Sequence, residues 1–205
     1  MQTYTIFKSG IVRAAASLMI GLTAPLAMAM GAMADNHGRH TDHGRQIEIT
    51  VDVSEDFTKF VPAPPIVDDI PQRGSFFITE GKIYPAGTIQ GDGAAFDPTD
   101  PHGPAATGRW FCRGTHLVAG NEIPATTEPW VYTTQAYLLP DEKSTLETSG
   151  LEQTAPIVRA VTGGTGKFKR ISGVQKQEFL GFNKLGGVNL RVTFLLDRNV
   201  LNMHD

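Results

Sequence analysis

Residues 159–173 read RAVTGGTGKFKRISG, and the glycines of this stretch are the most informative feature of the sequence. Its glycines invite comparison with a phosphate-binding loop, but the spacing excludes one. Val161 stands where that motif needs its first glycine, and Phe168 stands where it needs a serine or threonine. The glycines instead allow the chain to reverse direction with positive φ angles. The stretch therefore predicts a hairpin that joins two β-strands.

Strand-like patterns extend from this hairpin in both directions. Between residues 47 and 53, isoleucine and valine alternate with polar residues, which is the period of a half-buried strand. Further strand-like runs lie at 75–84, 88–90, 109–118, 130–139, 144–152, 157–161, 171–180 and 188–196. The proline-rich stretch at 62–71 cannot be a central strand or a helix interior. Glycine, proline and aspartate at 91–108 predict a long loop. The pattern predicts an all-β protein, either an antiparallel sandwich or a closed barrel.

Three features together resemble the allene oxide cyclase and dirigent superfamily. The first is the hairpin itself, in which a Gly-Gly-Thr-Gly turn joins an apolar strand to a strand that opens with glycine. The second is the preceding strand pair, TTQAYLL at 133–139 and STLETSG at 144–150. The third is the apolar final strand at 188–196. The resemblance covers about Thr107 to Leu196.

This resemblance implies a closed antiparallel β-barrel of about eight strands, often trimeric, with an apolar cavity open at one end. Members of the superfamily guide reactive hydrophobic or phenolic molecules through cyclisation, isomerisation or stereocontrolled coupling, mostly by confinement and orientation. It implies no cofactor and no metal ion. The expected partner is a small hydrophobic or phenolic ligand, and a homo-oligomer, trimer or dimer, is a further expectation. A non-catalytic, lipocalin-like carrier and a structural barrel with a filled interior remain as alternatives.

The N-terminus has the parts of a cleavable secretory signal peptide. Lys8 and Arg13 supply positive charge ahead of an uncharged stretch rich in alanine, methionine and leucine. That stretch closes with the small-x-small site Ala32-Met33-Ala34, and the chain turns polar immediately afterwards. Pro25 makes it a poor membrane anchor. These features predict export.

The expected domain organisation follows from this signal. We expect a signal peptide at 1–34, a disordered leader at 35–46 and a single β-barrel domain at 47–205. The histidines of the leader are interpreted as part of a solvated tail rather than as a metal site. The mature protein is expected to be periplasmic or secreted, with no membrane attachment after cleavage.

The charge balance and the cysteine count limit what kind of protein this can be. The chain has 18 basic and 21 acidic residues, and loss of Lys8 and Arg13 with the signal would take its formal net charge from −3 to −5. This acidic balance argues against binding to nucleic acid, which requires a basic face. Cys112 is the only cysteine, so the chain has no intramolecular disulfide. A buried, inert thiol is its expected state.

Glu80 is a candidate general acid or base in the run 76–84. Alternation along a strand places Glu80 and Tyr84 on one face. If that face lines the cavity, Glu80 is a buried carboxyl group with a raised pKa that could transfer protons. If the face points outward, Glu80 and Lys82 are ordinary solvated charges. The sequence leaves both alternatives open.

The run 109–118 presents two different faces. Arg109 and Arg113 share one face, which would suit an anionic or carboxylate-bearing ligand. Trp110 and His116 share the other, which would suit an aromatic ligand with His116 as proton shuttle. The half-buried pattern slightly favours the second face.

We expect one cavity inside the barrel, lined by side chains from 76–84, 109–116 and 130–138. These runs mix aromatic side chains with isolated polar groups, as small-molecule sites do. The predicted catalytic residues are Glu80 and His116. The predicted ligand-binding residues are Tyr84, Arg109, Trp110, Arg113, Tyr132 and Tyr137.

Overall fold

Antiparallel strands dominate the computed structural model, which describes residues 46–126, 128–153 and 156–197. The predicted signal peptide, and the predicted leader apart from Gln46, lie outside these residues. The strands are β1 (Gln46–Glu55), β2 (Val61–Ala63), β3 (Ile66–Val67), β4 (Ile70–Pro71), β5 (Phe76–Pro85), β6 (Gly108–His116), β7 (Val131–Leu138), β8 (Thr145–Glu152), β9 (Ile157–Gly164), β10 (Ser172–Phe182) and β11 (Val188–Asp197). Three short 3₁₀ helices lie at Phe57–Lys59, Ile123–Ala125 and Gly166–Phe168.

Eight of these strands, β1 and β5 to β11, close into a barrel. Each strand from β5 to β11 pairs with the next one along the chain. β1 then pairs with β11 on one side and with β5 on the other, which closes the sheet. Every pairing is antiparallel, so the prediction of an all-β antiparallel barrel is confirmed and the sandwich alternative is wrong. β2 pairs with the first residues of β5, and β3 and β4 form a separate two-stranded ribbon.

The strand pattern in the sequence matches the barrel closely, with one exception. The run 88–90 is expected to be a short strand, but it is irregular chain with a bend at Ile89, after a turn at residues 86–87. Ile89 is buried there, and its backbone N–H donates a hydrogen bond of 2.9 Å to the Asp52 carboxylate. The Asp52 side chain therefore accepts the backbone hydrogen bond of Ile89 that the carbonyl group of a neighbouring strand would otherwise accept. None of the helices in the described residues is long and apolar enough to cross a membrane.

The glycine-rich stretch ends one strand and begins a 3₁₀ turn, rather than forming a two-residue hairpin. β9 continues to Gly164, and the turn Gly166–Phe168 follows. Gly166 has a φ of +56°, and a Cβ there would lie 2.5 Å from the Ser144 hydroxyl. Gly164 is required for space instead, since its Cβ would lie 2.5 Å from the Thr145 carbonyl oxygen. Gly166 is thus required for its positive φ angle, and Gly164 is required because no side chain fits at its position.

Phe168 closes one end of the barrel, which we call the apolar end. It is buried against a cluster that includes Leu146, Val161 and Leu196. Phe194 belongs to the same cluster, and its ring meets that of Tyr137 edge to face at 4.9 Å. Full burial of each large apolar side chain contributes about 1.5–3 kcal/mol. This end of the lumen is a packed core that holds the wall strands in register.

A long loop, residues 86–107, covers the outer wall of β1 and β11. Asp52 is fully buried beneath it and accepts hydrogen bonds from Arg191 at 2.9 and 3.2 Å. The Asn189 amide donates to the Gly93 carbonyl at 3.1 Å, and the Tyr84 and Phe96 rings meet at 5.1 Å. This wall of the barrel is therefore covered by the chain itself.

Candidate functional site

The inner face of β6 is the aromatic one. Trp110, Cys112 and His116 are 2%, 6% and 8% exposed, whereas Arg109 and Arg113 on the alternate face are exposed. The face with Trp110 and His116, which the half-buried pattern of the sequence favoured, is thus the face that points into the lumen. Neither arginine enters the lumen, because a strand side chain can project only to the face that its neighbours two residues away share.

Glu80, Tyr84 and Tyr132 also lie on the outer faces of their strands. Glu80 is half-exposed on β5, while Thr79 next to it is buried inside. Tyr84 is buried, but under the covering loop rather than in the lumen, and Tyr132 is 45% exposed on β7. Tyr137 on the same strand is fully buried inside. Of the predicted site residues, the structure places only Trp110, His116 and Tyr137 in the lumen.

Opposite the apolar end, the lumen carries charged side chains, and we call this the polar end. Arg159 projects inward from β9, and its side chain is completely buried. It forms an ion pair with Glu152 of β8 and donates a hydrogen bond to the Thr133 hydroxyl. It packs over Gly150, where a Cβ would lie 2.9 Å from the Arg159 Cγ. Glu152 remains 17% exposed, so the pair reaches solvent on one side.

Three glutamine side chains extend this ion pair into a hydrogen-bonded network. Gln177 donates to Glu152 at 3.3 Å and accepts from Gln135 at 3.2 Å. Gln135 in turn accepts from the Tyr137 hydroxyl at 2.5 Å and from Gln175 at 3.3 Å. Burial raises the pKa of Tyr137, so its hydroxyl remains a donor. We call the whole set the polar cluster; its members are Thr133, Gln135, Tyr137, Glu152, Arg159, Gln175 and Gln177.

Four buried polar atoms in the lumen have no hydrogen-bond partner among the described residues. They are the Trp110 Nε1, the Thr148 Oγ1, the Arg159 Nε and the Gln175 Oε1. Two of these atoms can only donate, one can only accept, and the hydroxyl can do either. Buried polar atoms are nearly always paired, so each one calls for a partner. Together they leave hydrogen-bonding capacity in the lumen that the described side chains do not use.

Glu55 is a second carboxyl group in the lumen. It follows Val51 and Val53 on the inner face of β1 and accepts hydrogen bonds from the Thr79 hydroxyl at 2.6 Å and the Val188 N–H at 2.9 Å. Burial raises the pKa of Glu55 and outweighs these hydrogen bonds. Burial also raises the pKa of Cys112 to about 12, so this thiol stays protonated.

His116 lies at the polar end beside Ser75. Its Nδ1 is 3.1 Å from the Ser75 hydroxyl, and its ring meets that of Phe77 edge to face at 5.6 Å. Burial lowers the pKa of His116, so the imidazole is neutral at physiological pH. A neutral imidazole can accept or donate a proton, which is compatible with the predicted shuttle.

The residues that sequence reasoning missed are Glu55 and most of the polar cluster. The signal for two of them was present in the strand period. Arg159 alternates with Ile157 and Val161, and Glu55 continues the inward series of Val51 and Val53. A charged residue that shares a strand face with aliphatic residues is a candidate for burial in the lumen.

The same three strand runs that were expected to line an interior cavity line a groove on the outer wall. The groove has a volume of about 560 Å³. Its lining residues are Lys59, Val61, Ile78, Thr79, Glu80, Phe111, Cys112, Arg113, Thr134 and Ala136. The strand runs that were expected to line an interior cavity thus also line a groove on the outer side of the wall.

Glu80 lies at the centre of the charges around this outer groove. Its carboxylate is 3.0 Å from Arg109 and 3.3 Å from Lys59. Partial burial acts to raise the pKa of Glu80, but the hydrogen bonds from Arg109 and Lys59 prevail and lower it. The Arg109 guanidinium also lies 4.7 Å from the centre of the Phe111 ring. Glu80 is therefore an ion-paired surface carboxylate.

Within the described residues, no three histidine, cysteine, aspartate or glutamate side chains come together as a set that could hold a metal ion.

No protein-family model and no curated protein matches the sequence. Solved structures do match. The pterocarpan synthase dirigent protein PsPTS1 has a TM-score of 0.53 at 15% identity, covering 75% of this chain and 95% of that chain. The pterocarpan synthase dirigent protein GePTS1 has a TM-score of 0.51 at 14% identity, covering 85% and 98%. A pyocyanin demethylase has a TM-score of 0.48 at 15% identity, covering 73% and 99%.

The chain has the dirigent-like barrel fold. The predicted resemblance to the allene oxide cyclase and dirigent superfamily is confirmed at the level of the fold. The dirigent-like barrel places the polar cluster and the two lumenal carboxyl groups inside a wall of eight strands.

Proposed function

We propose that the polar end of the lumen binds a small hydrophobic or phenolic molecule and promotes its cyclisation, isomerisation or stereocontrolled coupling without a cofactor. The polar cluster carries this proposal. Its Arg159–Glu152 pair lies inside a barrel that is otherwise largely apolar. Replacing a buried ion pair by apolar residues is often neutral or stabilising, so stability alone does not account for it. The dirigent-like fold supports the same conclusion.

The unpaired polar atoms of the lumen indicate what the ligand must offer. Trp110 Nε1 and Arg159 Nε need acceptors, and Gln175 Oε1 needs a donor. A ligand with both a carbonyl or ether oxygen and a hydroxyl group meets these needs. Its ring or chain would pack on the partly buried Phe77, whose ring lies beside His116 at the polar end. A site of this kind fixes one orientation of the ligand, and confinement in one orientation favours one product.

The two lumenal carboxyl groups suit opposite steps of a proton transfer. Glu152, paired with the cationic Arg159, is the carboxylate that would remove a proton from the ligand. Glu55, whose pKa is raised by burial, is the acid that would donate a proton to another atom of the ligand. The double bond moves between the two positions, and no electrons are gained or lost. Glu152 would then release its proton to solvent and Glu55 would take up one proton from solvent at the polar end, which restores the starting protonation states.

A carrier without catalysis is the second candidate. Three neutral amides, Gln135, Gln175 and Gln177, form the middle of the polar cluster. Amides bind polar ligands through hydrogen bonds but do not exchange protons at neutral pH. If binding requires these amides and no conversion occurs, the protein is a carrier.

The test begins with the small molecules that the natively purified protein retains. Mass spectrometry identifies them after extraction, and each is supplied again to stripped protein while product is followed by chromatography. We expect Glu55→Gln and Glu152→Gln each to lower turnover about 100-fold or more, with affinity nearly unchanged. Glu147→Gln is the matched control because Glu147 lies on the exposed face of the same strand as Glu152.

Each result separates the two candidates. Unchanged turnover in both carboxyl variants would exclude the acid–base roles. Binding that is lost in Gln175→Leu, together with no conversion by the wild type, would establish the carrier. The absence of any lumenal ligand would exclude both functions.

We also propose that the protein acts after export. Lys8, Arg13 and the site Ala32-Met33-Ala34 support a signal peptide that is removed before Asp35. Intact-mass measurement of the native protein should give a chain that begins at or near Asp35. Recovery of the full-length chain would contradict export with cleavage.

A further inference from the structure

The outer groove has an apolar floor. Val61 and Ile78 are 54% and 52% exposed, and Phe111 and Ala136 are partly buried beside them. Its volume of about 560 Å³ lies within the range of small-molecule sites. Exposed apolar side chains that occur singly need no explanation, but several that meet in one concavity mark a binding surface.

The charges at the rim of this groove are unbalanced. Glu80 is the acidic member, and it is already engaged by Arg109 and Lys59. Arg113 makes no ion pair with any acidic side chain in the described part of the chain. Lys59 also lies 3.9 Å from a second carboxylate, that of Asp56. Three cations therefore meet two carboxylates here, in a chain whose net charge is −3. The groove is a local site of positive charge on an acidic protein.

Arg113 lies where a ligand headgroup would meet both the floor and a hydroxyl group. The register places it beside Ile78 on β5 and beside Thr134 on β7. Its guanidinium can bind a carboxylate through two parallel hydrogen bonds. The Thr134 hydroxyl can add another. Beyond this point, Val61, Ile78 and Phe111 offer apolar surface to a chain of methylene groups.

We propose that the outer groove binds a free, medium-chain carboxylic acid, with its carboxylate on Arg113 and its apolar tail along Val61, Ile78 and Phe111. This site is separate from the lumen, since the side chains on which the ligand would rest, those of Ile78, Phe111 and Arg113, lie on the outer faces of β5 and β6 and Val61 lies on β2. It does not depend on the function proposed for the polar cluster. Charge complementarity selects an anion, and the apolar floor selects a tail.

The experiment uses decanoate, decanol and decyltrimethylammonium as probes, with binding to the full chain measured by calorimetry. Decanoate should bind more tightly than decanol, and decyltrimethylammonium should bind least. Arg113→Gln should raise the dissociation constant of decanoate about tenfold and leave that of decanol unchanged. Ala136→Trp should remove binding of both by filling the groove. Lys176→Gln removes an exposed cation from another part of the barrel and should change nothing.

Four results would overturn the proposal. One is equal affinity for decanoate and decanol in the wild type. Another is decanoate binding that survives Ala136→Trp but is lost in the lumenal variant Gln175→Leu, which would place the ligand in the barrel. The third is a concentration-dependent dimer in sedimentation that Ala136→Trp dissociates while decanoate fails to bind, which would make the groove an interface between copies. Binding to neutral phosphatidylcholine vesicles without binding to free decanoate would count against it equally.

Discussion

The inner and outer faces of β5, β6 and β7 come from the same short stretches of sequence, yet they form different environments. Trp110 and Tyr137 are almost completely buried inside, while Ile78 and Tyr132 are about half exposed outside. The inner face leads to a hydrogen-bonded polar cluster, and the outer face forms an open groove with paired charges. A shift of one residue exchanges the two environments. A site assignment on a barrel wall therefore needs the face as well as the strand.

The largest expected difference between the faces concerns their arginines. Arg159→Ala leaves Glu152 without its partner inside the lumen and should lower the free energy of unfolding by about 3 kcal/mol. Arg113→Ala on the outer face should change it by less than about 0.5 kcal/mol. Urea denaturation of both variants measures the contrast. Similar losses in the two variants would show that the lumenal ion pair is no more important to the fold than a surface charge.

A double variant sharpens this result. Arg159→Met combined with Glu152→Leu removes both charges at once, and it should recover most of the stability lost in Arg159→Ala. If the double variant is as unstable as the single one, the loss comes from packing over Gly150 and not from an unpaired charge.

A second contrast is steric and lies on β8. Gly150→Val places a side chain against Arg159, whose Cγ is only 2.9 Å from the Cβ position, and should cost about 2 kcal/mol of stability. Leu151→Ala, on the exposed face one residue later, should cost less than about 0.5 kcal/mol. Thermal unfolding followed by circular dichroism compares them. If Gly150→Val loses little stability, Arg159 can leave its position over this strand.

The sequence predicted the barrel much better than it predicted the site. Strand bounds and pairing order follow from alternation and turns, both of which are local. The identity of the inner face is not local, because a strand such as Phe76–Pro85 has apolar residues on both faces. Phe76 and Ile78 are apolar yet exposed, so burial of Glu80 could not be judged from its neighbours. Ile157, Arg159 and Val161 show a clearer pattern, because the aliphatic residues on either side of Arg159 share its strand face and are buried.

A third contrast is the pH dependence of the two faces. Burial raises the pKa of Glu55 above its ordinary value of 4.5. The stability that wild-type Glu55 contributes is therefore complete below about pH 4.5 and is lost as pH rises through the folded-state pKa. Glu55→Gln cannot ionise, so wild type should lose stability relative to this variant as pH rises above 4.5. Urea midpoints of both proteins from pH 4 to 9 measure the difference. If the urea midpoints of wild type and Glu55→Gln change in parallel with pH, Glu55 is not held in a neutral form.

Glu80 should show the opposite sign and the smallest effect. Its ion pairs with Arg109 and Lys59 lower the pKa of Glu80, so its contribution is present above pH 4.5 and is lost as pH falls through the lowered folded-state pKa. Because the pair is largely exposed, Glu80→Gln should cost at most about 0.5 kcal/mol at pH 7. This small loss should diminish in 1 M NaCl, since salt screens exposed charges. A larger, salt-independent loss would mean that Glu80 is held in a far less polar environment than the outer groove, and the distinction between the two faces would then fail at this residue.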